Sequence, residues 1–331
     1  MGLWLSYKLR LRRRRYLLRA IRKRRELQVV RNRTHSIQPK DILVFATVQD
    51  EAAQLPYFLD HYRRMGVQHF LIVDNNSQDE TQSILINAPD VSCWHTSFSY
   101  RHARFGMDWM NFLLLRYGKN HWCLTVDADE FLTYPHEDSR SIRALTDWMD
   151  MSGIQSMPAM LLDLYADHPF DHRDAPLNSE LMFDVGNYRT SRNPEYHNLW
   201  IQGGPRDRLF FSDNPAHAPA LNKIPLVKWH WRYAYASSTH TLLPRRLNVV
   251  YGKPKYVRPS GLLLHTKLAH NFWCKTLNAI ERKEHFDGAK EYQAYARGLT
   301  RGTVFSAPVS HKMCSWREME RLELMSRGDW A

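Results

Sequence analysis

Three short polar strings hold the residues best suited to chemistry: Thr47-Val48-Gln49-Asp50-Glu51, the run from Asp74 through Asp79 and Glu80 to Thr81, and Asp127-Ala128-Asp129-Glu130. Asp127 and Asp129, one residue apart, can divide work between them. One can accept from a ribose hydroxyl while the other ligates Mg2+ or Mn2+. These hard ions take oxygen ligands and commonly combine one or two protein carboxylates with phosphate oxygens. Such a metal would neutralise the charge that grows on a departing diphosphate. Asp74 can accept from the polar edge of a nucleobase. Thr47 and Glu51 fit either contacts to a nucleotide or the opening of a helix, while Asp79, Glu80 and Thr81 fit helix capping.

Each string follows an apolar run of the length a buried strand needs, at 42–46, 70–73 and 122–126. Acidic residues at the C-terminal ends of successive parallel strands lie where open α/β sheets bind ligands. Helical spacing fills the intervals. Leu55, Phe58, Leu59, Tyr62 and Met65 mark one face, with Pro56 near the start and Gly66 behind the end. Residues 81–87 predict a short helix stopped by Pro89, 91–94 a further short strand, and 104–117 a longer helix followed by Gly118. This alternation predicts an α/β fold, a Rossmann-type, mainly parallel sheet with helices on both faces. Past 150 the pattern loosens. Strand-like runs at 154–165 and 224–231 are separated by long polar loops, and 279–286, 291–296 and 316–325 read as a helical C-terminal extension.

The chain of 331 residues is 44% hydrophobic, enough for one large domain or two modest ones. Its net charge of +12 is local: residues 1–33 hold 13 of the 46 Lys/Arg and one acid, Glu26, so the remainder balances 33 basic against 33 acidic residues. The excess belongs to a basic N-terminal arm, roughly 1–38, in which Trp4, Tyr7, Leu11, Leu18 and Ile21 recur near helical spacing. The arm reads either as an amphipathic helix on an anionic membrane surface or as a solvated tail. Nucleic acid is disfavoured as a partner, because aromatics are few in the arm and no reading domain accompanies the charge. Cys93, Cys123, Cys274 and Cys314 show no C-x-x-C spacing, which argues against a zinc site and a disulfide framework and fits a reducing compartment. No apolar stretch approaches the roughly 20 residues of a membrane span. Apolar residues precede the basic run, the reverse of an export signal, so a cytoplasmic location, peripheral on the inner face of the plasma membrane, is expected.

Taken together, the three strings resemble the nucleotide-binding half of family-2-like glycosyltransferases with a GT-A fold, over roughly residues 40–135. Asp127-Ala128-Asp129-Glu130-Phe131, Gly203-Gly204-Pro205-Arg206-Asp207-Arg208, the Lys223 to Lys228 string and Leu263-Leu264-His265-Thr266-Lys267 resemble a bacterial subgroup of these enzymes. The pattern departs at the second string, where Asp74 is followed by Asn75 and Asn76 rather than a second acid. The expected organisation is the arm 1–38, a GT-A-like domain 39–270 with a nucleotide-binding half 39–135 and an acceptor half 136–270, and the extension 271–331. The resemblance implies Asp74 at the base, Asp127 at the ribose and Asp129 on the metal. A late histidine, His265, would join Asp127 and Asp129 in the metal set, with His240 as the reserve. It further implies transfer from a nucleotide-diphosphate sugar, UDP-linked, to a hydroxyl of a surface-glycan, lipopolysaccharide or capsule precursor, with inversion.

In the acceptor half, Arg206 and Arg208 can clamp phosphate or an acidic acceptor through bidentate geometry, or pair with acids of the fold. An inverting transfer needs a carboxylate beside the acceptor hydroxyl. Asp163 stands in an apolar run, 161–165, where burial is expected to raise its pKa. Asp207, between the two arginines, is the rival. Trp200, Trp229 and Trp231 fit stacking on sugar rings or core packing. Two other readings stay open. A sugar-nucleotide pyrophosphorylase would place a Gly-rich loop after the first strand, where 47–51 has no glycine. A non-enzymatic membrane or nucleic-acid adaptor would act through the arm alone.

Overall fold

The computed structural model describes residues 3–167, 169–170, 180–249, 258–269, 272–282, 290–299 and 302–330, without the side chains of Cys274 and Lys290. The chain opens with α1 (Leu3–Lys23) and β1 (Gln28–Arg31). Strands and helices then alternate: β2 (Ile42–Val48), α2 (Leu55–Met65), β3 (His69–Asp74), α3 (Thr81–Asn87), β4 (Val91–His95), α4 (Met107–Tyr117) and β5 (Trp122–Thr125). There follow β6 (Glu130–Thr133), α5 (Ile142–Met151), β7 (Ser156–Asp163), α6 (Gly204–Phe210), β8 (Asn222–Lys228) and β9 (Gly261–His265). The last helices are α7 (Phe272–Arg282), α8 (Lys290–Gly298) and α9 (Trp316–Arg321).

Among the described residues these nine strands form one sheet in the order β1-β4-β3-β2-β5-β8-β7-β9-β6. The block β4-β3-β2-β5 is parallel throughout, and β9 runs parallel to β7. Strand β8 lies antiparallel between β5 and β7, and β1 and β6 are antiparallel edges, so six of nine strands share one direction. The predicted α/β sheet, mostly parallel and flanked by helices, is what forms.

Strand β2 shows why both faces are covered. Ile42, Val44, Ala46 and Val48 enter one apolar cluster with Phe58 and Tyr62 of α2, Leu85 of α3 and Leu145 of α5. Leu43 and Phe45 enter the other, with Trp109, Leu113 and Leu114 of α4. A strand buried on both sides reads as a near-continuous apolar run, as 42–46 does. Each fully buried side chain of this size stabilises the fold by about 1.5–3 kcal/mol.

Three expectations need correcting. The helix expected from 104 begins at Met107, because Arg104, Phe105 and Gly106 all take positive φ (56°, 57° and 73°). A Cβ on Gly106 would stand 2.9 Å from the Tyr100 ring and 3.0 Å from Thr47 Oγ1, so only glycine fits this approach to the first string. Second, the arm is not a solvated tail: α1 packs across α4, and β1 pairs with β4 at the sheet edge. Third, the C-terminal extension is not wholly helical. Ser310–Lys312 pairs with Leu181–Asp184, which also pairs with Tyr165–Ala166. The helix expected at 279–286 is the end of α7, and 283–286 lie outside the described residues.

Candidate active site

Sheet register assembles the site. Asp163 on β7 stands opposite His265 on β9, and His265 stands opposite Glu130 on β6. Paired positions present side chains to the same face, so these three groups line up across neighbouring strand ends. Residues 126–129 lead from β5 to β6 past three intervening strands, which carries the acidic string across the end of the sheet.

His265 Nδ1 donates to Asp163 Oδ1 at 2.6 Å, and its Nε2 lies 3.5 Å from Asp129 Oδ2. Asp163 Oδ2 accepts from Arg206 Nε at 2.7 Å. Asp163, His265 and Arg206 are buried, and Asp129 nearly so. Burial disfavours a charged imidazole, but Asp129 and Asp163 outweigh it and push His265 up to about 8. Burial alone would raise Asp163; Arg206 and His265 instead hold it down at about 2. Asp129 likewise resists burial, kept well below the usual carboxylate range by His265, then Lys275 and Lys267.

Asp163 is therefore not the raised-pKa base that its apolar neighbours suggested. It is ionised, with both oxygens engaged, and it positions His265. Asp207 is no freer, since Arg189 holds both of its oxygens. The arginines are also committed. Arg206 is bound through Nε to Asp163 and through Nη1 to Glu291, while its buried Nη2 has no partner among the described residues; Arg208 grips both oxygens of Asp184 at 3.0 Å and the Phe305 carbonyl at 2.6 Å, so it does not stand as a free phosphate clamp.

On the other side of the acidic string, Lys223 Nζ lies 2.7 Å from Glu130 Oε1 and 3.3 Å from Asp127 Oδ2. Glu130 Oε2 accepts from the Asp127 backbone N–H at 3.2 Å. Glu130 and Lys223 are buried, whereas the Asp127 side chain is 52% exposed and open to a ligand. Burial drives Glu130 upward, Lys223 pulls it back, Asp127 adds to the rise, and it settles at about 7. Glu51 does not cap α2 with its side chain. Both of its oxygens accept from Lys275 Nζ of α7 at 2.8 Å, and burial, with Asp129 and Asp127 adding, pushes it to about 7 against that lysine. Arg282, also on α7, pairs with Asp50 at 3.1 Å. The C-terminal extension thus reaches the first string.

Asp74 departs from expectation. It is fully buried, accepts from Ser77 N at 3.1 Å and Ser77 Oγ at 2.5 Å, and meets Gln82 Nε2 at 3.1 Å and His95 Nδ1 at 3.3 Å. These contacts fill it, and it shapes the turn rather than meeting a base. Asp79 accepts from Thr81 N at 2.9 Å, just ahead of α3, and from Ala52 N at 3.0 Å, which ties the first two strings together.

Thr47, Tyr100, Met107, Val126, Asp127 and Thr239 wall a small cleft beside the acidic string. Among the described residues, Thr47 Oγ1 and Thr239 Oγ1 are buried without a hydrogen-bond partner. His240 points elsewhere. Its Nδ1 lies 2.5 Å from the Asn222 carbonyl, and burial, reinforced by Lys223, lowers it to about 4. Trp229 is core, packed 5.5 Å from Tyr235, while Trp231 is exposed against Arg232.

For a divalent ion, Asp129 and His265 offer one oxygen and one nitrogen. The second ring nitrogen of His265 is held by a carboxylate, as metal-ligating histidines commonly are. Asp127 turns toward Lys223, and among the described residues no three His, Cys, Asp or Glu side chains gather as a metal cluster. The pair fits an ion that takes its remaining ligands from phosphate and water.

Lys223, Lys267 and Lys275 were not anticipated. Lys223 opens a string singled out for its wording, and its place beside two acids follows only from β8 lying next to β5.

No protein-family model and no curated protein matches the chain. Among solved structures it is similar to a mannosyltransferase from Pyrobaculum calidifontis in complex with GDP-Man and Mn2+ (17% identity, TM-score 0.28), over 47% of this chain and 45% of that one. It is also similar to HddC from Yersinia pseudotuberculosis (8% identity, TM-score 0.30, 69% of this chain and 90% of that one). A third likeness is to an apo UDP-glucose pyrophosphorylase (9% identity, TM-score 0.28, 78% and 98%). The chain spans less than half of the mannosyltransferase. At these scores the likeness assigns no activity, and the functional reading rests on the site.

Proposed function

We propose that the protein is a nucleotide-sugar-dependent glycosyltransferase that binds its donor diphosphate with Mn2+ or Mg2+ at Asp129 and His265. The chain Asp129–His265–Asp163–Arg206 carries this reading, because it turns Nε2 of a fixed imidazole toward a carboxylate at the open end of the sheet. When bound, the ion would neutralise charge on the departing nucleoside diphosphate. Asp163 holds the ring in one tautomer, and Arg206 keeps Asp163 ionised. The exposed Asp127 carboxylate meets the ribose hydroxyls, and Thr47 and Thr239, whose hydroxyls have no partner among the described residues, offer hydrogen-bonding groups beside it. Glu51, held by Lys275, lies close enough to Asp129 and Asp127 to feel their charge. A UDP-linked donor, inversion, and a surface-glycan, lipopolysaccharide or capsule hydroxyl as acceptor complete the proposal.

Thermal-shift measurements with UDP-, GDP-, CMP- and dTDP-sugars, with and without Mn2+, test it. A donor that binds the folded state raises the melting temperature by mass action. One donor should do so in a manner that needs Mn2+ and Asp129. Product analysis then separates the classes: a glycosyltransferase releases the nucleoside diphosphate, a pyrophosphorylase releases pyrophosphate. Absence of stabilisation by every sugar nucleotide would sink the reading.

A further inference from the structure

Helix α1 has two opposed apolar faces. One is docked: Leu9 and Ala20 are buried, Arg104 lies 3.7 Å over the Tyr16 ring, and Arg19 binds Asp108 of α4 at 2.5 Å. Just beyond the helix, Glu26 accepts from Trp109 Nε1 at 3.0 Å. The other face carries Leu3, Trp4, Tyr7, Leu11, Leu18 and Ile21. At 3.6 residues per turn these fall within an arc of roughly 100°, opposite Leu9 and Ala20. They point into solvent, Leu3 at 92%, Trp4 at 75% and Leu18 at 57% exposure. Large apolar side chains so exposed and so aligned mark an interaction surface.

Charge selects the partner. Helix α1 contains nine Lys/Arg and no acid, and exposed Arg10, Arg14, Arg15 and Arg22 interleave with or flank the apolar arc. A second copy would bring the same positive charge to the contact, whereas an anionic bilayer supplies both counter-charge and an apolar layer. Trp4 and Tyr7 are aromatics suited to that boundary. At 21 residues the helix is long enough to cross a membrane, but no helix among the described residues is apolar enough to do so.

We infer that α1 lies in the interface of an anionic membrane with this outer face inserted, and that its inner face rigidly couples the body to the bilayer. The coupling runs close to the candidate site, because Arg104 and Asp108 flank Gly106, whose backbone abuts Thr47. The inference stands on α1 and does not need the catalytic reading.

Co-sedimentation of the full chain with phosphatidylcholine vesicles, with and without phosphatidylglycerol, tests it. The parent should bind only the anionic vesicles, and less tightly as salt rises. Trp4→Ser/Leu11→Ser/Leu18→Ser should lose at least about tenfold in vesicle affinity while keeping the parent's melting temperature and helix content, since the three side chains are exposed. Arg14→Glu/Arg22→Glu should weaken binding in the same direction. Equal binding by parent and triple-serine variant, or no binding of the parent to anionic vesicles, would overturn the inference. So would a parent that is dimeric by sedimentation equilibrium and becomes monomeric with the serine substitutions, because the face would then belong to a second copy.

Discussion

Asp163 Oδ1 lies 2.6 Å from His265 Nδ1, and this one contact decides which ring nitrogen faces Asp129. A carboxylate can only accept, so Nδ1 must carry hydrogen, and Nε2 is the nitrogen that would give up its proton to a metal ion beside Asp129. Asp163→Asn weakens that preference, because an amide can present a donor or an acceptor to the ring. It should lower Mn2+ affinity by about 10–100-fold, read by calorimetry in the presence of the donor found by thermal shift. Unchanged affinity would remove the positioning role from Asp163.

Asp129 is the carboxylate on which the proposed donor complex depends. Its side chain faces His265 Nε2 at 3.5 Å. Asp129→Asn preserves shape while removing charge, and should cost transfer about 10²–10³-fold with little change in the cooperativity of unfolding. EDTA should silence the parent, and added Mn2+ should restore it. Full activity after chelation would exclude the metal from the mechanism.

Much of this arrangement was legible locally, and the part that was not has a physical reason. Gly66, Pro89 and the periodic faces of α2 and α3 announce themselves within a few residues, and both helices begin and end as expected. The acidic strings follow buried strands, which short apolar runs also announce. Asp163 was misread because its partners are remote: Arg206 is 43 residues away and His265 is 102. From its neighbours alone, a carboxylate in an apolar run is indistinguishable from an unpaired one, and the two cases shift pKa in opposite directions. Asp74 fails for a related reason. Its apolar approach predicts a strand end correctly, but Gln82 and His95, which fill it from the next helix and strand, give no local signal. The late start of α4 follows from three consecutive left-handed residues, two of which, Arg104 and Phe105, are types that rarely adopt that conformation.

Lys223 and Glu130 form a buried ion pair at 2.7 Å beneath Asp127. Removing one partner strands the other charge away from water, which costs about 3–5 kcal/mol, whereas removing both is far less costly. Lys223→Met should therefore destabilise strongly in urea unfolding, and Lys223→Met/Glu130→Gln should recover most of the loss. Equal destabilisation by the single and double variants would show that the pair is not coupled.

His240 provides a pH test separate from the proposed metal ligands. Burial comes first in lowering it to about 4, Lys223 adds, and the Asn222 carbonyl and Asp127 oppose. The unfolded chain protonates this histidine near 6.5, so between 6.5 and about 4 it binds a proton that the folded protein refuses. The His240 contribution is therefore fully present above 6.5 and is lost as the pH falls through that window, by an amount on the order of 2–3 kcal/mol. His240→Asn keeps a donor for the Asn222 carbonyl and does not titrate. Urea unfolding of parent and variant at steps between about pH 7 and about pH 4.5 should give a gap in the parent's favour that closes, or reverses, toward the acid end. Parallel stability curves would mean that His240 titrates alike in the folded and unfolded chain.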